Sequence, residues 1–397
     1  MLAATMSAEA QTDSILVVGK DTVSYRYTPI TAQPKVESKA QRAWRRFSNY
    51  ILESAIDRSF ERKMDFTILP GVYYTNSTNF GFALVAAGLY RIDRTNRDIA
   101  PSSISVYGNV SINGYYRLGV KNSNIFRNNR NRLDCNIDLR SQPTYFWGIG
   151  YNNAVTNQRT KYLAKLYHVD INYRHRFLKH LYLGGAIDFD CHNTRRESEQ
   201  MQEWLGDRKG DYFGTGISLV LEYDSRDNIN SPHRGLYISL RGMVRPDALG
   251  NTSSTLWTAA ATIDYYQPLW RGAILALDLY GEFNFGDMPW VFYPTLGGSH
   301  RMRGYYEGQF SDRNAVMLQL ELRQRIWRQL GIAVWGGAGN VFHSFAEFRW
   351  RHTLPNYGIG LRWELKNRLN VRIDYGLGGK VQGRLINGVV FSIGEAF

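Results

Sequence analysis

The sequence predicts an all-β protein, a 16-stranded antiparallel transmembrane β-barrel with a short N-terminal helical segment. Three observations carry that expectation. From about Met64 onward, apolar and polar residues alternate with a period of two, the repeat of a strand whose two faces meet different surroundings. The alternating segments run to about ten to fourteen residues, against about five or six in ordinary soluble strands. Their ends carry aromatic residues, as in Tyr73 and Tyr74, Tyr265 and Tyr266, and Trp327, which is where a barrel places its interfacial girdles.

Composition agrees with this fold and excludes others. No run approaches the roughly 18 apolar residues of a membrane-spanning helix, so a helical membrane protein is excluded. A closed β-barrel is the other way to satisfy every backbone group inside a bilayer. Its alternating strands leave the mean hydropathy unremarkable, here −0.38. The 26 Tyr, 19 Phe and 10 Trp among 397 residues suit surfaces that are half apolar and half wet. A formal charge of +13 raises nucleic acid as a partner. The basic residues are scattered singly among acidic ones, however, which fits a solvated lining of mixed sign, and no nucleic-acid partner is expected. Cys135 and Cys191 fit neither a metal spacing nor a disulfide framework.

Taken in chain order, residues 1–10 end in Ala8-Glu9-Ala10, the small-x-small form of a signal-peptide cleavage site. They read as a remnant signal peptide, with an ordinary N-terminal tail as the alternative. Residues 11–63 form a periplasmic N-terminal segment. Within it Ala40, Trp44, Phe47, Ile51 and Ala55 recur at helical spacing, opposite Arg42, Arg45, Arg46 and Asn49. A basic amphipathic helix of this kind packs against a protein wall, here by plugging the barrel end, or lies on an anionic membrane. Residues 64–397 are the outer-membrane β-barrel.

Sixteen strand-like segments begin near residues 65, 79, 102, 115, 130, 163, 180, 212, 234, 255, 273, 314, 330, 356, 369 and 386. An even count returns both ends of the sheet to one side of the membrane. In "AVMLQLELRQRIW", Val316, Leu318, Leu320 and Leu322 oppose Gln319, Glu321, Arg323 and Arg325; in "LNVRIDYGLG", Val371, Ile373 and Tyr375 oppose Arg372 and Asp374. Asn113-Gly114 suits a tight hairpin. The longer connections at about 193–211 and 287–313 are expected on the extracellular side.

Three stretches then point to a family. "YPTLGGSHRMRGYYEGQFSDRN" resembles the Gly-Gly … Arg-Gly-Tyr/Phe loop of the outer-membrane protein assembly factor superfamily, also called the bacterial surface antigen family. "LEYDSRDNINSPHRGLYISL" is similar to its Asp-x-Arg-Asp-Asn … Pro-x-x-Gly hairpin, and the chain ends "FSIGEAF", with the aromatic residue that marks a last strand. The resemblance implies that the loop between segments eleven and twelve folds into the lumen. Gly297 and Gly298 open that loop, Arg303 is its tip, Gly304 permits the turn and Tyr305 packs beside it. Glu321, inward by parity on the next strand, is the implied partner of Arg303.

There is one departure within the loop lock: Gly337 stands where the family has an Asp, so a weaker lock or another acid is expected, for instance Asp278 or Glu282. Asp224, Arg226, Asp227, Pro232 and Gly235 are expected to brace a hairpin, and Phe391, Ile393 and Phe397 to form the barrel-closing C-terminus. The segment before the barrel is too short for the family's periplasmic substrate-binding modules, which reads as a barrel-only member.

The implied function is insertion or translocation of proteins, or of lipids, at the bacterial outer membrane. A passive or gated pore without assembly activity is the alternative. Implied partners are outer-membrane lipid, periplasmic or outer-membrane lipoproteins and unfolded protein clients. His168, His175, His180, His192 and His300 assemble into no recognisable catalytic constellation from spacing alone. No enzyme activity, cofactor or metal is expected.

Overall fold

The computed structural model describes residues 15–18, 21–24, 38–39, 41–42, 45, 58–75, 78–95, 99–195, 197–208, 210–364 and 370–397. The chain divides into two compact units, Met1–Ile51 and Leu52–Phe397. In the first, Ile15–Val18 pairs with Asp21–Ser24 as an antiparallel hairpin. Lys39, Gln41, Arg42 and Arg45 are helical. Ser38 caps that start: its Oγ accepts from the Gln41 amide at 3.1 Å while the Gln41 side chain accepts from the Ser38 amide at 2.9 Å. Such reciprocal bonding satisfies two otherwise orphaned donors. The expected apolar stripe, Ala40, Trp44, Phe47, Ile51 and Ala55, lies outside the described residues, as do residues 1–10.

The second unit is built on one antiparallel sheet of sixteen strands, β1 (Asp65–Thr75), β2 (Asn79–Tyr90), β3 (Ser102–Ser111), β4 (Tyr116–Ile125), β5 (Asn131–Phe146), β6 (Thr160–Leu178), β7 (Leu181–Arg195), β8 (Tyr212–Asp224), β9 (Gly235–Arg245), β10 (Leu256–Pro268), β11 (Ala273–Phe285), β12 (Asn314–Trp327), β13 (Leu330–Phe342), β14 (Leu354–Glu364), β15 (Asn370–Val381) and β16 (Arg384–Ile393). Each pairs with its neighbours in sequence. The largest shift from the expected strand starts is at β6, which begins at Thr160 rather than near 163. Residues 58–62, expected in the N-terminal segment, pack with this unit: Arg91 bonds Ser59 at 2.9 Å and lies 3.7 Å over the Phe60 ring.

The two faces of the sheet are inverted relative to a soluble protein. Leu219 is 66% exposed and Leu221 is 36% exposed, while Glu222 beside them is 1% exposed. A water-soluble sandwich buries the apolar face and wets the charged one. Here alternation delivers the opposite, so the apolar face is built for a medium other than water.

Candidate functional site

The connection between β11 and β12 packs on the charged face. Its base is a two-residue ladder, Thr295–Leu296 with Phe310–Ser311. Leu296 and Phe310 are fully buried, in a cluster with Met302, Tyr305, Val341 and Leu354. Gly297 and Gly298, both at φ +105°, start the descent. At the tip, Gly304 is also at φ +105°, and a Cβ there would sit 2.6 Å from the Gly376 carbonyl oxygen. Only glycine tolerates both that backbone and that approach.

Arg303 is wholly buried. Its Nη2 donates to Glu321 Oε2 at 2.6 Å and its Nη1 to Asp374 Oδ2 at 2.9 Å. The guanidinium lies 3.6 Å over the Trp335 ring, whose indole N–H donates to Asn356 Oδ1 at 3.0 Å. Asn356 Nδ2 in turn donates to the Arg303 carbonyl at 2.5 Å. A desolvated guanidinium is tolerated only when paired and hydrogen-bonded, and here β12, β13, β14 and β15 each supply part of the cage.

The implied Arg303–Glu321 pair is present in the geometry. The second acid corrects the expectation: it is Asp374 from β15, whereas Asp278 binds Arg301 at 2.7 and 2.6 Å and Glu282 accepts from Tyr280 at 2.5 Å. Gly337 is blocked from any such role, because a Cβ there would lie 2.5 Å from the Leu318 carbonyl oxygen. Tyr305 completes the tip. Its hydroxyl donates to the Pro355 carbonyl at 2.7 Å and accepts from the Gly379 amide at 2.6 Å. Burial pushes the phenol up to about 12, so it stays a protonated donor.

Around this pair the charges continue. Arg323 Nε donates to Glu321 Oε1 at 2.8 Å, Arg362 Nη1 to Asp374 Oδ1 at 2.5 Å and Arg372 Nη1 to Asp374 Oδ2 at 2.6 Å. Glu395 accepts from Arg362 Nε at 3.1 Å. Arg303, Arg323, Arg362 and Arg372 thus face three carboxylates, Glu321, Asp374 and Glu395. Main-chain oxygens accept from the same cations: Arg372 donates to Ser299 and, at 3.0 Å, to Gly394, and Arg323 donates to Phe397 at 3.0 Å. Arg325, expected inward with them, is at the strand end and pairs with Glu364 at 3.1 Å.

These last bonds bring a further correction. Phe391 and Ile393 lie in β16, with Phe391 opposite Ile373 and Ile393 opposite Val371. Phe397 lies beyond the strand. Residues 394–397 turn onto the charged face, where Ala396 accepts from His300 Nδ1 at 3.0 Å and the Phe397 ring sits 6.4 Å from that of Tyr266. The tail therefore contacts the tip loop. Glu395, Asn356 and the bed of Gly376 and Gly378 were not singled out by motif. The run "YGLGGK" beside Asp374 was the available signal, since a Cβ on Gly376 would meet the Arg303 carbonyl oxygen at 2.0 Å and one on Gly378 the Tyr305 ring at 2.4 Å.

The β8–β9 hairpin is a brace. Asp224 accepts from Arg226 Nε at 2.9 Å and from Arg132 at 2.8 Å. Asp227 Oδ1 accepts from the His233 amide at 2.9 Å and the Arg234 amide at 3.3 Å, across buried Pro232. At Gly235, φ is +118° and a Cβ would lie 2.5 Å from the Ser225 carbonyl oxygen. The histidines are dispersed: His168 meets Asp190 at 2.7 Å, His175 meets Asn131 at 2.6 Å and His180 meets the Asp224 carbonyl at 3.1 Å. Among the described residues no group of His, Cys, Asp and Glu could hold a metal ion.

Long antiparallel strands, an apolar outer face, and a loop pinned by buried charge on the other face define the class: this is a bacterial outer-membrane β-barrel protein. The Omp85 superfamily domain matches residues 100–397, and the chain belongs to that superfamily. Its fold is similar to BamA from Haemophilus ducreyi lacking POTRA domains 1–3 (TM-score 0.54, 12% identity, 83% of this chain and 70% of that one). It is also similar to CdiB from Acinetobacter baumannii (0.55, 12%, 84% and 60%) and CdiB from Escherichia coli (0.57, 11%, 84% and 63%). The chain thus spans less than two thirds of either CdiB structure. No curated protein matches the sequence. At the family level the role is outer-membrane protein insertion or translocation.

Proposed function

We propose that residues 64–397 close into a 16-stranded transmembrane barrel that assists insertion or translocation of proteins, or of lipids, at the outer membrane. In this reading the loop carrying Arg303 lies in the lumen. The barrel opens between its first and last strands, and no catalytic step takes part. Residues 11–63 are a periplasmic segment with a basic amphipathic helix, available to a lipoprotein partner.

One observation carries the reading. Among the described residues, fifteen neighbouring strand pairs form registered ladders, whereas β1 and β16 come within 8 Å of each other with no ladder between them. A contact without that ladder costs less to part than any other in the sheet. A passive pore fits less well, because a lumen holding a tip with a fully buried Arg303 leaves little conducting path.

The test is a cysteine pair engineered across the β1–β16 contact, in a strain depleted of the native protein. With the disulfide formed, the outer-membrane protein profile should stay depleted; adding reductant should restore it. Full complementation by the cross-linked protein would overturn the reading. Large, steady single-channel conductance by the unmodified protein would favour the pore.

A further inference from the structure

The middle of the connection between β13 and β14, residues 344–351, folds over the apolar face of the sheet, while His343 and His352 at its ends meet Asp312 at 3.4 Å and the Tyr151 ring at 4.2 Å. Strand parity fixes this. Trp335 lies beneath Arg303 on the charged face, and Val334 faces the other way, 48% exposed. Asn340 and Phe342 share the parity of Val334, yet they are only 2% and 4% exposed. Their cover is this connection. Asn340 Nδ2 donates to the Arg349 carbonyl at 3.0 Å and to Thr353 Oγ1 at 2.9 Å. The Phe342 ring packs 5.7 Å from Phe345 and 5.2 Å from Phe348. Phe345 stacks 5.3 Å from Phe283, which shares the outward parity of exposed Leu279, and Phe348 lies 5.1 Å from Trp350.

The outer part of this structure is unspent. Trp350 is 81% exposed and Phe345 is 63% exposed. Arg349 and Arg351 flank Trp350 and are both exposed. A tight turn presents them together, with the His352 amide bonded to the Arg349 carbonyl and the Thr353 amide to the Trp350 carbonyl, each at 3.0 Å. Among the described residues, neither guanidinium has a carboxylate partner. The nearby acid, Glu347, accepts instead from Ser344 Oγ at 3.0 Å.

We propose that residues 344–351 bind an anionic, phosphate-bearing lipid of the outer leaflet. Phe345 and Trp350 sit at the boundary of its acyl chains, and Arg349 and Arg351 hold its phosphate. The inference rests on the reading of the sheet as a membrane-spanning barrel. Exposed aromatic rings anchor at the interface because they have one apolar and one wet side. Guanidinium is the side-chain group best matched to phosphate, by shape and by charge-assisted hydrogen bonds. The run of rings starts at Phe283, on the bilayer-facing surface of β11, so the patch begins inside the membrane. That continuity favours a lipid over a soluble protein as occupant.

The experiment is native mass spectrometry of the full chain in detergent, titrated with dioleoyl phosphatidic acid or dioleoyl phosphatidylcholine. The protein should retain the phosphatidic acid about thirtyfold better, as expected for two arginines near an anionic head group. Arg349→Ala combined with Arg351→Ala should abolish that preference. An unchanged preference in the double variant would overturn the proposal, as would displacement of the lipid by inorganic phosphate, which would indicate a site for free anion. The same preparations are tested for insertion into phosphatidylcholine vesicles. Failure of the unmodified protein to insert would sink the barrel reading, whereas insertion without lipid preference would sink the lipid site alone.

Discussion

The strands on either side of the β1–β16 contact are built from different materials. On the C-terminal flank, β15 turns Asn370, Arg372, Asp374, Gly376 and Gly378 to the inner face, every one of them buried. On the N-terminal flank, β2 turns Ala83, Val85 and Ala87 inward and β3 turns Ser103, Ser105, Tyr107 and Asn109 inward, all only half-buried. One flank is a charged bed shaped to a loop; at these positions of β2 and β3 the other carries no charge and is only half-covered, its buried inner residues being Asp65, Thr67 and Tyr73 of β1. Buried ion pairs contribute little net stability, but breaking one leaves an uncompensated charge and is expensive. The C-terminal flank should therefore behave as a rigid unit with the tip loop, while displacement of strands begins on the N-terminal side.

Four substitutions test that contrast, in descending order of effect. Arg303→Ala removes two charge-assisted hydrogen bonds, to Glu321 and Asp374, which keep Arg323, Arg362 and Arg372 as partners, and should cost about 3 kcal/mol, giving a folded but loosened barrel. It is read as a lower transition temperature in heat-modifiable gel mobility, with new protease cleavage between residues 297 and 310. Unchanged mobility and protease resistance together would remove the lock. Gly376→Ala pushes a methyl group against the Arg303 carbonyl oxygen, 2.0 Å away, and overpacking of this type costs about 1–3 kcal/mol. The same cleavage assay should show the loop displaced with its charges intact. Tyr305→Phe removes the donor to Pro355 and the acceptor for Gly379, worth about 1–2 kcal/mol in thermal stability. Ser105→Ala, on the opposite flank, should stay within about 0.5 kcal/mol of the native protein. If it matched Tyr305→Phe, the contrast between the flanks would be wrong.

Much of this arrangement could be read from the chain, for physical reasons that also explain what could not. A period of two is imposed by the pleat, so strand positions followed directly, and parity alone placed Glu321, Arg323, Arg372 and Asp374 on one face. The tip came from resemblance, through the likeness of the Gly-Gly … Arg-Gly-Tyr stretch to the family's loop. Parity says which face a side chain takes but not how far along the strands a loop descends, so Asp374 could not be chosen over Asp278 or Glu282. The fate of residues 394–397 was hidden because four residues after a strand carry no periodicity. Residues 343–353 were hidden too, since which way a connection folds over a rim depends on the packing of Phe342, Phe345 and Phe348, which meet only in three dimensions.

The cage around Arg303 also fixes an order of events. Glu321 follows the arginine by 18 residues and Asp374 by 71, and the tail that touches the tip loop lies further still. Closing contacts across such separations is slow, because chain entropy is lost before the contact repays it. The tip cannot settle until β12 to β15 have been laid side by side. Arg303 thereby becomes a late checkpoint, neutralised only when the last quarter of the chain is in place.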